Sequence, residues 1–94
     1  MRTRREKART PGGRSHKILT VLHVQDAGFK TFKAEIYGAD TSDRQRKDLW
    51  HLLGHLEAEG FIWREDRIFA ISPSGEHERQ RLGNLLAEPQ RAAA

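Results

Sequence analysis

Cysteine is absent from this sequence, proline occurs only three times and tyrosine once, and no run of apolar residues is long. Without cysteine there is no disulfide framework, no thiolate zinc site and no thiol nucleophile, which fits a reducing compartment. No apolar stretch approaches the roughly 20 residues that a membrane-spanning helix needs. Met1 leads directly into Arg2, Arg4 and Arg5 with no apolar segment behind them, so a cytoplasmic chain without membrane contact is expected. Catalytic signatures are missing too. No Gly-rich phosphate loop follows a candidate strand, and no serine sits in a nucleophile motif, so neither an enzyme nor a cofactor is expected.

What the chain does have is charge, unevenly placed. Of its 94 residues 36% are hydrophobic and 32% charged, with a mean hydropathy of −0.79, which leaves room for one small core. Residues 1–14 carry Arg2, Arg4, Arg5, Lys7, Arg9 and Arg14 against Glu6 alone. The remaining 80 residues hold 11 basic and 12 acidic groups, so the basic character belongs to a tail and the body is nearly neutral. The tail also contains Pro11-Gly12-Gly13 and no leucine, isoleucine, valine or aromatic residue. Such a segment buries too little apolar surface to offset its ordering entropy, and the expectation is a disordered basic arm over 1–14.

From Ser15 the pattern changes. Ile18, Leu19, Leu22 and Val24 recur near helical spacing and predict a first helix over about 16–27, with Ser15 as N-cap and Gly28 as its stop. Thr31 is positioned to cap a second, short helix with Phe32, Ile36 and Tyr37 on its apolar side, ended by Gly38. Ser42-x-x-Gln45 has the form of a capping box and opens a third helix over about 43–59, closed by Gly60. That helix has the clearest pattern in the chain. Leu49, Leu52, Leu53 and Leu56 share one stripe, and Arg44, Lys47, His51 and Ala58 collect on the opposite face. The segments 61–64 and 67–71 are rich in aromatic and β-branched residues around Glu65-Asp66 and predict a tight hairpin. Ser72-Pro73 then opens a last helix carrying Arg79, Leu82, Leu85 and Leu86 to about Ala87, with a disordered tail over 89–94 after Pro89.

The fold class expected is therefore mainly α with a small β-hairpin, in the order of a winged helix-turn-helix: a three-helix core, a two-stranded wing and a C-terminal helix over residues 15–88. The run Leu49-Trp50-His51-Leu52-Leu53-Gly54-His55-Leu56-Glu57-Ala58-Glu59-Gly60-Phe61-Ile62 resembles the end of the recognition helix and the start of the wing in small bacterial and phage winged-helix regulators. Ile71-Ser72-Pro73-Ser74-Gly75 is similar to the L-T-P-x-G that closes the wing in the multiple-antibiotic-resistance and phenolic-acid repressor families. The chain differs from the larger repressors in a very short wing and an expected short last helix.

The resemblance implies sequence-specific binding of double-stranded DNA and a role in transcription regulation, within a bacterial cytoplasm or that of a phage host. An α-helix fits the major groove and presents its N-terminal half to base edges. Arg44 and Lys47 are the best-placed readers, followed by Thr41, Ser42, Arg46 and His51. From the hairpin, Arg64 and Arg67 would touch backbone, and the six arm cations would add affinity without sequence preference. The same residues admit other roles. Asp40, Asp43 and Asp48 interleave with the basic positions, so the third helix could simply be solvated there, and Trp63 and Phe69 could pack rather than stack on bases. His51 and His55 have a spacing that suits metal, but no third ligand follows from the pattern, and no metal is expected. A nearly neutral body keeps open an alternative in which the domain binds a host or partner protein. A homodimer through Leu82, Leu85, Leu86 and the first helix would give two recognition helices on one site.

Overall fold

The computed structural model describes the backbone of residues 11–93 and the side chains of residues 11–86. Arg2, Arg4, Arg5, Lys7 and Arg9, five of the six arm cations, lie outside the described residues. The order of elements is α1 (Arg14–Val24), β1 (Ala27–Gly28), α2 (Phe29–Tyr37), α3 (Asp43–Ala58), β2 (Ile62–Glu65), β3 (Ile68–Ile71) and α4 (Pro73–Ala93). The fold is mainly helical with a small antiparallel sheet, as the composition and periodicity predict.

Every helix contributes one apolar stripe to a single core. Ile18, Leu19 and Leu22 come from α1, Phe32 from α2, the four leucines from α3 and Leu82 from α4, and Ile62 and Phe69 close it from the sheet. Phe32 meets Phe69 edge-on at 5.9 Å, the favoured arrangement for two aromatic quadrupoles. Leu49, Leu52, Leu53 and Leu56 are all buried, which fixes the rotation of α3 and sends its charged side chains outward.

Helix α3 is delimited as the sequence predicts. The Ser42 hydroxyl accepts from the Gln45 amide at 3.1 Å, while the Gln45 side chain accepts from the Ser42 amide at 3.0 Å. At the other end Gly60 takes a positive φ of 81°. Its amide bonds to Glu57 O, and the Phe61 amide bonds to Leu56 O, the pair of contacts that defines a Schellman motif. The two-residue hairpin turn has Asp66 in the left-handed region at φ 59°, one of the few non-glycine types that tolerates it.

Several boundaries differ from expectation, each for a local reason. Helix α1 begins at Arg14 behind an extended Gly13, so Ser15 is a buried residue inside the helix rather than its cap. Residues 11–14 are therefore not part of a free arm. Arg14 donates to the Tyr37 hydroxyl at 2.9 Å, and the Gly12 amide donates to His16 Nδ1 at 2.9 Å. Helix α1 stops at Val24 because Gln25 turns extended and Ala27-Gly28 pair with Phe69 and Ile68, making the sheet three-stranded in the order β1-β3-β2. Gly28 is consequently the N-cap of α2 instead of the stop of α1, and Thr31 lies within α2. Helix α4 passes Ala87 and continues through Pro89 to Ala93, so it is 21 residues long rather than short. One proline removes one backbone donor, and the surrounding Glu88, Gln90, Arg91 and alanines are good helix formers.

The start of α4 explains the Ser72-Pro73-Ser74-Gly75 motif. Ser72 Oγ accepts from the Gly75 amide at 3.0 Å and donates to Gly60 O, so one side chain caps α4 and ties it to the end of α3. Gly75 lies against the Phe61 carbonyl so closely that a Cβ there would sit 2.0 Å from the oxygen. No helix among the described residues is long and apolar enough to cross a membrane.

Candidate nucleic-acid interface

With the leucine stripe facing inward, α3 presents Arg44, Lys47, Asp48 and His51 to solvent. Among the described residues Arg44, Lys47 and His51 make no ion pair or side-chain hydrogen bond. The other residues named from the sequence on and before this helix are already engaged. Ser42 is committed to its capping box, and the Thr41 hydroxyl donates to Gly38 O at 3.4 Å. Arg46 is drawn back along the helix, pairing with Asp43 and donating to Thr41 O at 3.2 Å.

The hairpin arginines have different environments. Arg64 donates from Nε to Asp66 O at 2.9 Å, and its guanidinium lies 5.7 Å from the Trp50 ring centre and 5.8 Å from that of Phe69. This is a cation laid on aromatic faces, with its planar fork still partly exposed. Arg67, at the turn, has no such partner among the described residues. Phe69 is buried in the core, whereas Trp63 lies on the outer face of the sheet and is 59% exposed.

The cations of the body differ in whether they are paired. On α4, Arg79 pairs with Glu76 at 3.1 Å and Arg81 with Glu78 at 2.7 Å. On α2, α3 and the hairpin turn, Lys30, Lys33, Arg44, Lys47 and Arg67 are unpaired among the described residues. Carboxylates are interleaved there as well, with Asp48 on α3 and Glu65 and Asp66 at the hairpin tip. Residues 11–94 hold 12 basic and 12 acidic groups, so these cations stand on a body with no net charge.

Phe29, Lys30 and Trp50 join this surface without having been singled out by the sequence. Phe29 and Trp50 stack at 4.4 Å with ring planes 6° apart, linking α2 to α3 beneath the hairpin. The available signal was Trp50's place beside the leucine stripe, about 100° around the helix from Leu49, where a large aromatic is only half covered. His51 and His55 are both exposed, and no group of three or more His, Asp or Glu side chains converges among the described residues.

The expected dimer surface divides residue by residue. Ile18, Leu19, Leu22 and Leu82 are inside the monomer's core and cannot form it, because the small domain needs all four to close. Leu85 and Leu86 remain outside, Leu86 being 54% exposed. Comparisons with protein-family models, curated proteins and solved structures find no match to this chain.

Proposed function

We propose that this chain is a winged helix-turn-helix protein that binds double-stranded DNA with sequence preference, as a transcription regulator of bacterial or phage type. The observation that carries the proposal is the face of α3. A helix anchored by four buried leucines holds Arg44, Lys47 and His51 outward with no intramolecular partner among the described residues, Arg44 and Lys47 in the N-terminal part that enters a groove first and His51 at its middle. The α2–turn–α3 arrangement and the hairpin beside it support the same reading, with Arg67 and Lys30 flanking the helix as backbone contacts. Arg44 and Lys47 are the base-edge readers. Thr41, Ser42 and Arg46 position the helix end through their own backbone bonds.

A random-sequence duplex titrated by fluorescence anisotropy at two salt concentrations tests this directly. Steeply salt-dependent binding is expected. A second reading, a protein-binding module, is favoured by one specific observation: the outer sheet face exposes Trp63 and Ile68 side by side with Ala70. No duplex affinity at low salt would turn the assignment to that reading.

A further inference from the structure

The start of α2, the side of α3 and the hairpin enclose an open cleft of about 500 Å³ lined by Gly28, Phe29, Lys30, Trp50, Arg64 and Arg67. Its shape depends on one glycine. A Cβ on Gly28 would lie 3.1 Å from Arg67 O, so a side chain there would push the hairpin tip away from the first turn of α2. Its floor is the Phe29–Trp50 stack, in which Trp50 stays 44% exposed although its neighbour Leu49 is fully buried. Among the described residues the rim carries Lys30, Arg64 and Arg67 and no carboxylate. Helix α2 meets the cleft with its positive end, having no side-chain cap and no acidic residue in its first turn.

Phe29 stacks on Trp50 and the Arg64 guanidinium lies over the same ring at 5.7 Å, so the exposed indole and the guanidinium plane together suit a planar, apolar ring that carries an anionic group. Base pairs inside a duplex hide their faces in the stack and cannot offer one. An unpaired nucleotide presents both a free base face and a phosphate without any unstacking. We infer that this cleft binds an unpaired nucleotide, with its base against the Arg64 guanidinium and the exposed part of Trp50 and its phosphate between Lys30 and Arg67. The inference rests on the duplex reading for its setting: α3 holds the paired DNA, and the cleft beside it takes the first nucleotide of a strand leaving the duplex. The preferred substrate is then a duplex with a single-stranded extension.

The test uses the full chain carrying Trp63→Phe, which leaves Trp50 as the sole tryptophan. Three probes are titrated: a blunt random duplex, the same duplex with a thymidine extension, and the thymidine strand alone. The extension should tighten binding about tenfold, the scale of one base–aromatic stack, and should quench Trp50 beyond the effect of the blunt duplex. Lys30→Ala and Arg67→Ala, both at exposed positions and both also assigned to the duplex backbone, should each weaken binding of the extended duplex severalfold more than binding of the blunt one while leaving the fold intact. Equal affinity for blunt and extended duplexes without added quenching overturns the inference and leaves the duplex reading standing. Binding and quenching by the thymidine strand alone, with no affinity for the blunt duplex, supports the cleft and overturns the duplex reading. Quenching by an acidic aromatic peptide and by no nucleic acid overturns both.

Discussion

Arg44 and Lys47 carry the proposed contacts, while Leu53 and Gly75 carry structure, and substitution separates the two kinds of role. Arg44→Ala and Lys47→Ala should each weaken duplex binding by about 1–3 kcal/mol if the side chain reads a base edge. Neither change should move the melting temperature, because both side chains lie opposite the leucine stripe and point into solvent. Leu53→Ala should do the reverse, costing about 2–5 kcal/mol of stability with binding retained in whatever fraction stays folded. Gly75→Ala should also destabilise strongly, since its Cβ would collide with the Phe61 carbonyl and force α4 away from the hairpin. Thermal melts of the four variants, paired with anisotropy titrations, check all of this. Helical spacing made the outward placement of Arg44 and Lys47 on α3 legible. It could not show that Arg46 folds back onto Asp43 and Thr41, because that depends on side-chain geometry at the helix start.

Among the elements, α3 was the most legible because three independent local signals agree on it: a capping box, a leucine stripe and a closing glycine. Strand β1 was not legible. Two residues cannot show an alternating pattern, and Ala27-Gly28 become a strand only because the hairpin lies beside them. The cleft under the hairpin was hidden for the same reason, since Phe29 and Trp50 are 21 positions apart and meet only after folding. Removing the cap of α3 by Ser42→Ala should cost about 0.5–2 kcal/mol, measurable by urea unfolding.

The packing of α1 on α4 makes stability depend on pH. Glu76 is held below the usual carboxylate range, first by its hydrogen bond to His23 and then by Arg79. His16 is pushed below the ordinary imidazole value by burial and by the nearby Arg79. Both groups bind fewer protons folded than unfolded, so stability rises with pH. The contribution of His16 is complete above its ordinary value of 6.5 and is lost as the pH falls through its lower folded value. Glu76 adds a second loss only below its ordinary 4.5. Protonation of His16 Nδ1 also removes the acceptor of the Gly12 amide, which loosens the turn before α1. The melting temperature should therefore fall as the pH drops below the ordinary imidazole value of 6.5, and His16→Gln should flatten that fall. An unchanged slope in the variant would assign the dependence elsewhere.

At the scale of the whole molecule, charge and surface divide the labour. Residues 11–94 are neutral, and the arm cations Arg2, Arg4, Arg5, Lys7 and Arg9 hold the excess. Deleting residues 2–10 should lower duplex affinity and reduce the salt slope by up to about four, close to 0.9 for each phosphate that the arm neutralises. Extending the deletion through Arg14 should also destabilise, because Gly13 caps α1 and Arg14 reaches Tyr37. One recognition helix reads only a few base pairs, so specificity favours two copies on a pseudo-palindromic site. Leu85 and Leu86 on the long α4 are the exposed leucines available for that interface. Sedimentation at tens of micromolar should show a dimer that Leu86→Glu dissociates.

The central claim, that α3 is the surface that meets DNA, is tested most directly by one comparison. Anisotropy titration of a random duplex at two salt concentrations is carried out on the unmodified chain and on the Arg44→Ala/Lys47→Ala double variant, with equal melting temperatures as the control. The account predicts binding by the first and clearly weaker affinity in the second, with a salt slope lower by up to about two, since two cations that meet the duplex are removed. Equal affinity of the two proteins would place any DNA-binding surface elsewhere and contradict it.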